Sequence, residues 1–174
     1  MNKTTFVPRL QRERDKFELI LNQVGFSRQM TIKGVSGNLS IKDILADILT
    51  REQFIADRLN EILHSEDYSP CTSHSALENF QKNFGYPDYE SPLLEKESRN
   101  HTVTYKHKNI GVDDIVEQEL AAYENIISTL EKLTQNQCLD HDLFHRIAEH
   151  TYKPYRRIIH DIRLWLKSIA TESN

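Results

Sequence analysis

The sequence is short of the residues that interrupt helices. Its 174 residues include only 5 glycines and 5 prolines. So few turn formers speak against many short strands and favour long helices. Cysteine is scarcer still, with 2 residues, Cys71 and Cys138. Neither belongs to a CxxC, and a disulfide framework needs more. No cationic neighbour in sequence would activate either thiol, so both are expected to be reduced and unreactive. No apolar run approaches the roughly 20 residues that span a bilayer. The segment 1–9 lacks the apolar core of a signal peptide. The expectation is a soluble, cytoplasmic protein with no membrane partner.

An excess of positive charge is also missing. Lys and Arg number 22 against 26 Asp and Glu, a net charge of -4. The pairs Arg12, Arg14 and Arg156, Arg157 have Asp15 and Asp161 close by. Duplex nucleic acid is therefore not an expected partner. These charges read as the solvated faces of helices.

What is present is a globular composition, 38% hydrophobic and 28% charged. The length fits one domain, residues 1–174, with one core. Apolar residues recur at helical spacing in four long segments. The first predicted helix runs from Pro8, suited to a first turn, to Val24, with Gly25 as its stop. Leu10, Phe17, Ile20, Leu21 and Val24 form its stripe. After a glycine-containing linker, Ser40 reads as an N-cap with Asp43 completing a capping box. The second helix then extends to about His64, with Ile44, Ile48, Ile55 and Leu59 on its apolar face.

A long, mostly polar connection follows, 65–111. A stretch of this length without structure is improbable in a compact domain. Short helices are expected at Ser75–Phe84, with Leu77, Phe80 and Phe84 inward, and between Pro92 and Tyr105. The third long helix starts near Asp113 as N-cap and ends at Leu133. A loop around Asn136 leads to the fourth, which begins near Asp140 and carries Phe144, Ile147, Tyr155, Ile162 and Trp165. Pro154 predicts a kink inside it. The fold class is therefore all-α, a four-helix bundle. The short last loop makes helices three and four antiparallel. The long connection can cross the bundle and let helix three run parallel to helix two.

Three ordered segments add a resemblance. Gly34-Val35-Ser36-Gly37-Asn38-Leu39-Ser40-Ile41-Lys42-Asp43-Ile44-Leu45-Ala46-Asp47 is similar to the G-V-x-G-x-W-S-V-K-D stretch of the DinB-like superfamily. Tyr105 and Val112-Asp113-Asp114-Ile115-Val116 resemble the start of that family's third helix. His150-Thr151-Tyr152-Lys153-Pro154-Tyr155 and Ile162-Arg163-Leu164-Trp165-Leu166 resemble its last helix. The pattern fits best the ClbS/DfsB branch. The resemblance implies an up-down-down-up bundle. Many members are three-histidine metalloenzymes or thiol transferases. In the ClbS/DfsB branch, ClbS hydrolyses a cyclopropane warhead without a histidine triad. Here Asp47, His150 and Pro154 stand where the metal pattern has histidine, asparagine and histidine. Leu39 and Arg51 replace tryptophans. No metal and no cofactor are expected.

The candidate catalytic pair is Asp47 and His150, both at stripe edges where a groove can open between the second and last helices. A carboxylate that holds an imidazole makes it a better base. Equally, both can be ordinary boundary residues, with Asp47 paired to Arg51 at i,i+4. Arg51, Tyr105 and Tyr155 are candidate ligand-binding residues, although Tyr155 is also in core phase. His141, His145 and Glu149 share one stripe, as metal ligands or as a plain polar face. His64, His74, His101, His107 and His160 are expected to face solvent. The leading functional expectation is a small-molecule pocket acting on an electrophile by activating water. The rivals are a non-catalytic binding or interaction protein and a metal- or thiol-dependent transferase. A homodimer is compatible with such a bundle.

Overall fold

The computed structural model describes residues 1–25, 28–95 and 106–172. Within them the chain is all-α, and the sole β feature is an isolated bridge between Ser36 and Leu39. Helix α1 spans Lys3–Val24, α2 Ile41–Leu63, α3 His74–Phe84 and α4 Val112–Lys132. Two short helices follow, α5 Gln135–Asp140 and α6 Leu143–His150, before α7, Tyr152–Glu172. None is long and apolar enough to cross a membrane.

Local chemistry accounts for most boundaries. The Asn2 side chain accepts the Thr5 N–H, so α1 starts a turn earlier than Pro8 suggests. The amide that Pro8 lacks would have bonded an exposed first-turn carbonyl, which water can satisfy. Gly25, at φ 77°, ends the helix. At α2 the expected capping box forms: Ser40 accepts the Asp43 N–H and Asp43 accepts the Ser40 N–H, at 3.2 and 2.9 Å. Helix α3 ends at Gly85 in the left-handed region. The expected cap at Asp113 is corrected to Gly111, which has no side chain to cap with; Asp113 and Asp114 instead sit in the first turn, where the helix dipole favours them.

The fourth helix is corrected most. The expected loop around Asn136 is helical, because Thr134 and Gln137 form a second capping box. The kink expected at Pro154 falls at Thr151, whose φ and ψ are -127° and -93°. Pro154 lies in the first turn of α7, where a proline costs little. The chain thus breaks three residues earlier and the proline is absorbed.

Long-range pairs fix the helix directions. Lys3 reaches the Leu133 carbonyl at 2.5 Å and Arg14 grips Glu119, so α1 and α4 run in opposite senses. Lys42, early in α2, reaches the Lys108 carbonyl just before α4, and these two helices run together. Phe6 lies near Tyr152 and Glu13 binds Arg156, so α1 and α7 are parallel. Phe6, Leu10, Phe17, Ile48, Phe54, Leu59, Ile126, Leu130 and Ile162 fill the core between them. Each buried side chain of this kind contributes about 1.5–3 kcal/mol.

The crossover is held by buried Asp88. Its carboxylate accepts the Tyr68 hydroxyl at 2.7 Å and the Cys71 and Glu90 amides at 2.9 and 3.1 Å. Tyr86 donates to Asp57 on α2, and the Ser91 hydroxyl donates to the Cys71 carbonyl. Residues 86–91 are thereby pressed onto α2. Of the α3 positions expected inside, Phe80 is buried and Leu77 half-buried, but Phe84 is exposed. The expected helix between Pro92 and Tyr105 falls largely outside the described residues.

Candidate functional site

His150 ends α6 at the break. Pro154 cannot return the N–H that an unbroken helix would give the His150 carbonyl. The imidazole is buried against Phe54 and Tyr89, with ring centroids 5.1 and 6.1 Å away. Its Nε2 lies 3.7 Å from Glu90 Oε2, an ion-pair distance longer than a hydrogen bond. Its Nδ1 is buried and has no hydrogen-bond partner among the described residues. Burial pushes the imidazole below its ordinary range, and Glu90 only partly opposes this. His150 is therefore neutral near pH 7.

Glu90 comes from the crossover. Arg146, on α6, holds both its oxygens through Nε and Nη2 at 2.9 and 2.8 Å. Burial raises this carboxyl, but His150 and Arg146 outweigh it and bring it down to about 2. The carboxylate facing His150 is thus Glu90. Asp47 Oδ2 accepts the Arg51 Nε–H at 3.1 Å, the i,i+4 pairing open from the sequence. The Arg51 guanidinium lies over the Tyr89 ring at 5.1 Å. Thr50 donates to the Asp47 carbonyl at 3.0 Å, so the Tyr89 hydroxyl is the donor in its 2.5 Å bond to Thr50. Arg51 and Tyr89 link Asp47 to His150, and the four side chains share one half-buried cluster with Glu90 and Arg146.

Tyr155 stands elsewhere. Its ring stacks on Phe17 at 4.6 Å, and its hydroxyl donates to Glu52 at 3.0 Å and receives Arg14 at 3.1 Å. Arg14 also grips Glu119 through both terminal nitrogens, one at 2.6 Å. Arg14, Glu52, Glu119 and Tyr155 form a polar knot in the bundle core. Burial and the charge of Glu119 hold the Glu52 carboxyl well above its usual range, against the pull of Arg14. This favours the neutral acid at Glu52, and Arg14 pairs with Glu119. The reading of Arg14 as a solvated surface charge is corrected by this burial. Tyr105 lies outside the described residues, as does His101.

The remaining histidines divide. His64, His74 and His160 are exposed as expected, whereas His107 is buried beside the start of α4. His141 and His145 are exposed, and Glu149 binds Lys153. Among the described residues no three His, Cys, Asp or Glu side chains converge as metal ligands would. Cys71 is half-buried; burial, helped by Asp88, pushes its thiol up to about 11, which opposes thiolate formation.

Sequence reasoning missed Glu90, Tyr89 and Arg146. Glu90 and Tyr89 lie in a segment with no period to place them. Arg146 was visible as a charge one turn before His150.

No family model matches the chain, and a search of curated proteins finds no match either. Among solved structures, the chain is similar to the crystal structure of an uncharacterised protein from Escherichia coli UTI89, at 10% identity and a TM-score of 0.67. The likeness covers 97% of this chain and 95% of that one, and it shows that the two share their all-α fold.

Proposed function

We propose that the chain is a DinB-like four-helix bundle of up-down-down-up topology, in the ClbS/DfsB branch, that binds a small electrophilic molecule and hydrolyses it without a metal. The observation that carries the reading is the state of His150: buried, neutral, faced by Glu90 on one nitrogen and unpartnered on the other. With the proton on Nε2 toward Glu90, the Nδ1 lone pair is a base. It takes a proton from water as the water oxygen bonds to the electrophilic carbon. The bond from that carbon to its leaving atom breaks, and the leaving atom collects the proton from His150. Arg51, tethered by Asp47 and lying over the Tyr89 ring, supplies a cation for a developing negative charge.

A non-catalytic binder is the second reading. The two-point grip of Arg146 on Glu90, and the packing of His150 against two rings, favour it. A thermal-shift screen against epoxides, activated cyclopropanes and thiol cofactors separates the readings. A ligand at about 100 times its Kd adds about 2.7 kcal/mol of stability. The expected hit is an electrophile that gains the elements of water, with turnover lost in His150→Gln. A hit that binds and stays intact establishes the binder. No hit among the electrophiles overturns the proposal.

A further inference from the structure

An open polar cavity lies away from His150, in the seam between α2 and α4. It measures about 450 Å³ and is lined by Gln53, Asp57, Lys106, Gln118, Asn125 and Tyr86, with Phe84 at its rim. That volume falls in the range of small-molecule pockets, about 300–1,000 Å³. Buried Ala56 and Ala122 line it from below, where larger side chains would fill the seam between the two helices, and exposed Ala121 lines it too.

The charged groups are held in place by neighbours that do not exhaust them. Asp57 accepts the Tyr86 hydroxyl on Oδ2, and a carboxylate has a second oxygen. Lys106 donates to the Gly85 carbonyl, and an ammonium has three donors. A Cβ at Gly85 would stand 2.9 Å from the ammonium nitrogen, so a side chain there would shift the tip of Lys106. Partial burial lowers the Lys106 pKa, while the side chain stays exposed, so its charge remains open to a ligand carboxylate. Three carboxamides, each both donor and acceptor, complete the wall, and the exposed Phe84 ring offers a flat apolar face.

We infer that this cavity binds a zwitterionic short peptide, with its carboxylate on Lys106, its ammonium on Asp57 and its peptide group on Gln53, Gln118 and Asn125. One cation and one anion match a ligand that carries one of each, and a ligand of single charge would leave one of them unmatched. An aromatic side chain on the ligand would lie against Phe84.

The probe is L-alanyl-L-phenylalanine, titrated into the full chain and followed by calorimetry and by the side-chain amide signals of Gln53, Gln118 and Asn125. The dipeptide is expected to bind and to shift those signals. Its N-acetyl and C-amide forms are each expected to bind at least about tenfold more weakly. Asp57→Asn, which keeps an acceptor for Tyr86, and Lys106→Met are expected to weaken the uncapped dipeptide to a similar degree. His150→Gln is expected to leave dipeptide binding unchanged, which separates this site from the electrophile site. No binding of the dipeptide, equal binding of its capped forms, or binding indifferent to both variants would each overturn the inference.

Discussion

His150 meets Glu90 across the fold, with Nε2 3.7 Å from Oε2, although one ends a helix and the other lies in the crossover. Opposed forces act on the ring, and Arg51 and Arg146 side with burial against the carboxylate. Burial removes water from the imidazolium, and the carboxylate supplies a partner for it. Burial wins, so the folded protein holds His150 in the neutral form.

That balance has a sign in pH. The ordinary imidazole value is 6.5, and the folded value lies below it. Between the two, the unfolded chain takes a proton that the folded chain refuses, so stability falls as pH drops below about 6.5. A His150 ring-proton titration by NMR is expected to give a midpoint under 6.5, and Glu90→Gln is expected to lower it further. A midpoint above 6.5 would show that Glu90 wins.

The polar knot predicts the opposite trend. Glu52 keeps its proton in the folded state while the unfolded carboxyl loses it above about 4.5. Stability is therefore lost as pH rises from there toward the folded value. Glu52→Gln keeps an oxygen for the Tyr155 hydroxyl and removes the ionisation. Its melting temperature is expected to exceed the wild type's at pH 8, with the gap closing by pH 5. A gap that is constant across that range would mean that Glu52 does not bind its proton on folding.

Arg14 is expected to behave differently from Glu52. It neutralises Glu119 through both terminal nitrogens inside the core. Arg14→Met leaves that carboxylate buried and alone, which costs about 3–5 kcal/mol. Arg14→Met with Glu119→Leu removes both charges and is expected to recover most of the loss. Urea unfolding of the single and double variants measures it, and a double variant as weak as the single one would refute the pairing argument.

These two clusters also mark what could be read from sequence. The start of α2 was legible because Ser40 and Asp43 cap locally, and α3 was placed by Leu77 and Phe80 at helical spacing even though Phe84 turned out exposed. Arg14, Glu52 and Glu119 carried a signal too: each falls in phase with apolar neighbours, as Glu52 does between Ile48 and Ile55. A charge in core phase points to a buried partner, though not to which one. Glu90 left no such trace. Its place depends on the tether at Asp88, which reaches back across α3 to Tyr68 and Cys71, 20 and 17 residues earlier. The break at Thr151 shows the same limit, since Pro154 announces an interruption and the packing of α6 decides where it falls.

The last prediction tests the division of labour at the candidate site, using an electrophile that the screen identifies. If His150 is the base, His150→Gln keeps a polar side chain and much of the packing but has no lone pair of suitable basicity. Its kcat is expected to fall by about 100-fold or more, with KM nearly unchanged. Asp47→Asn acts through Arg51, which loses its charged tether at Nε. It is expected to raise KM more than it lowers kcat, because Arg51 meets the ligand and does not move the proton. The pH profile gives an independent check. Activity should fall on acidification as His150 gains its proton, with a midpoint below 6.5 because burial depresses the imidazole. Glu90→Gln should move that midpoint lower still, since the carboxylate is what raises it. A profile that stays flat through the imidazole range in wild type, with turnover retained in His150→Gln, would remove His150 from the chemistry and leave the cluster as a binding site.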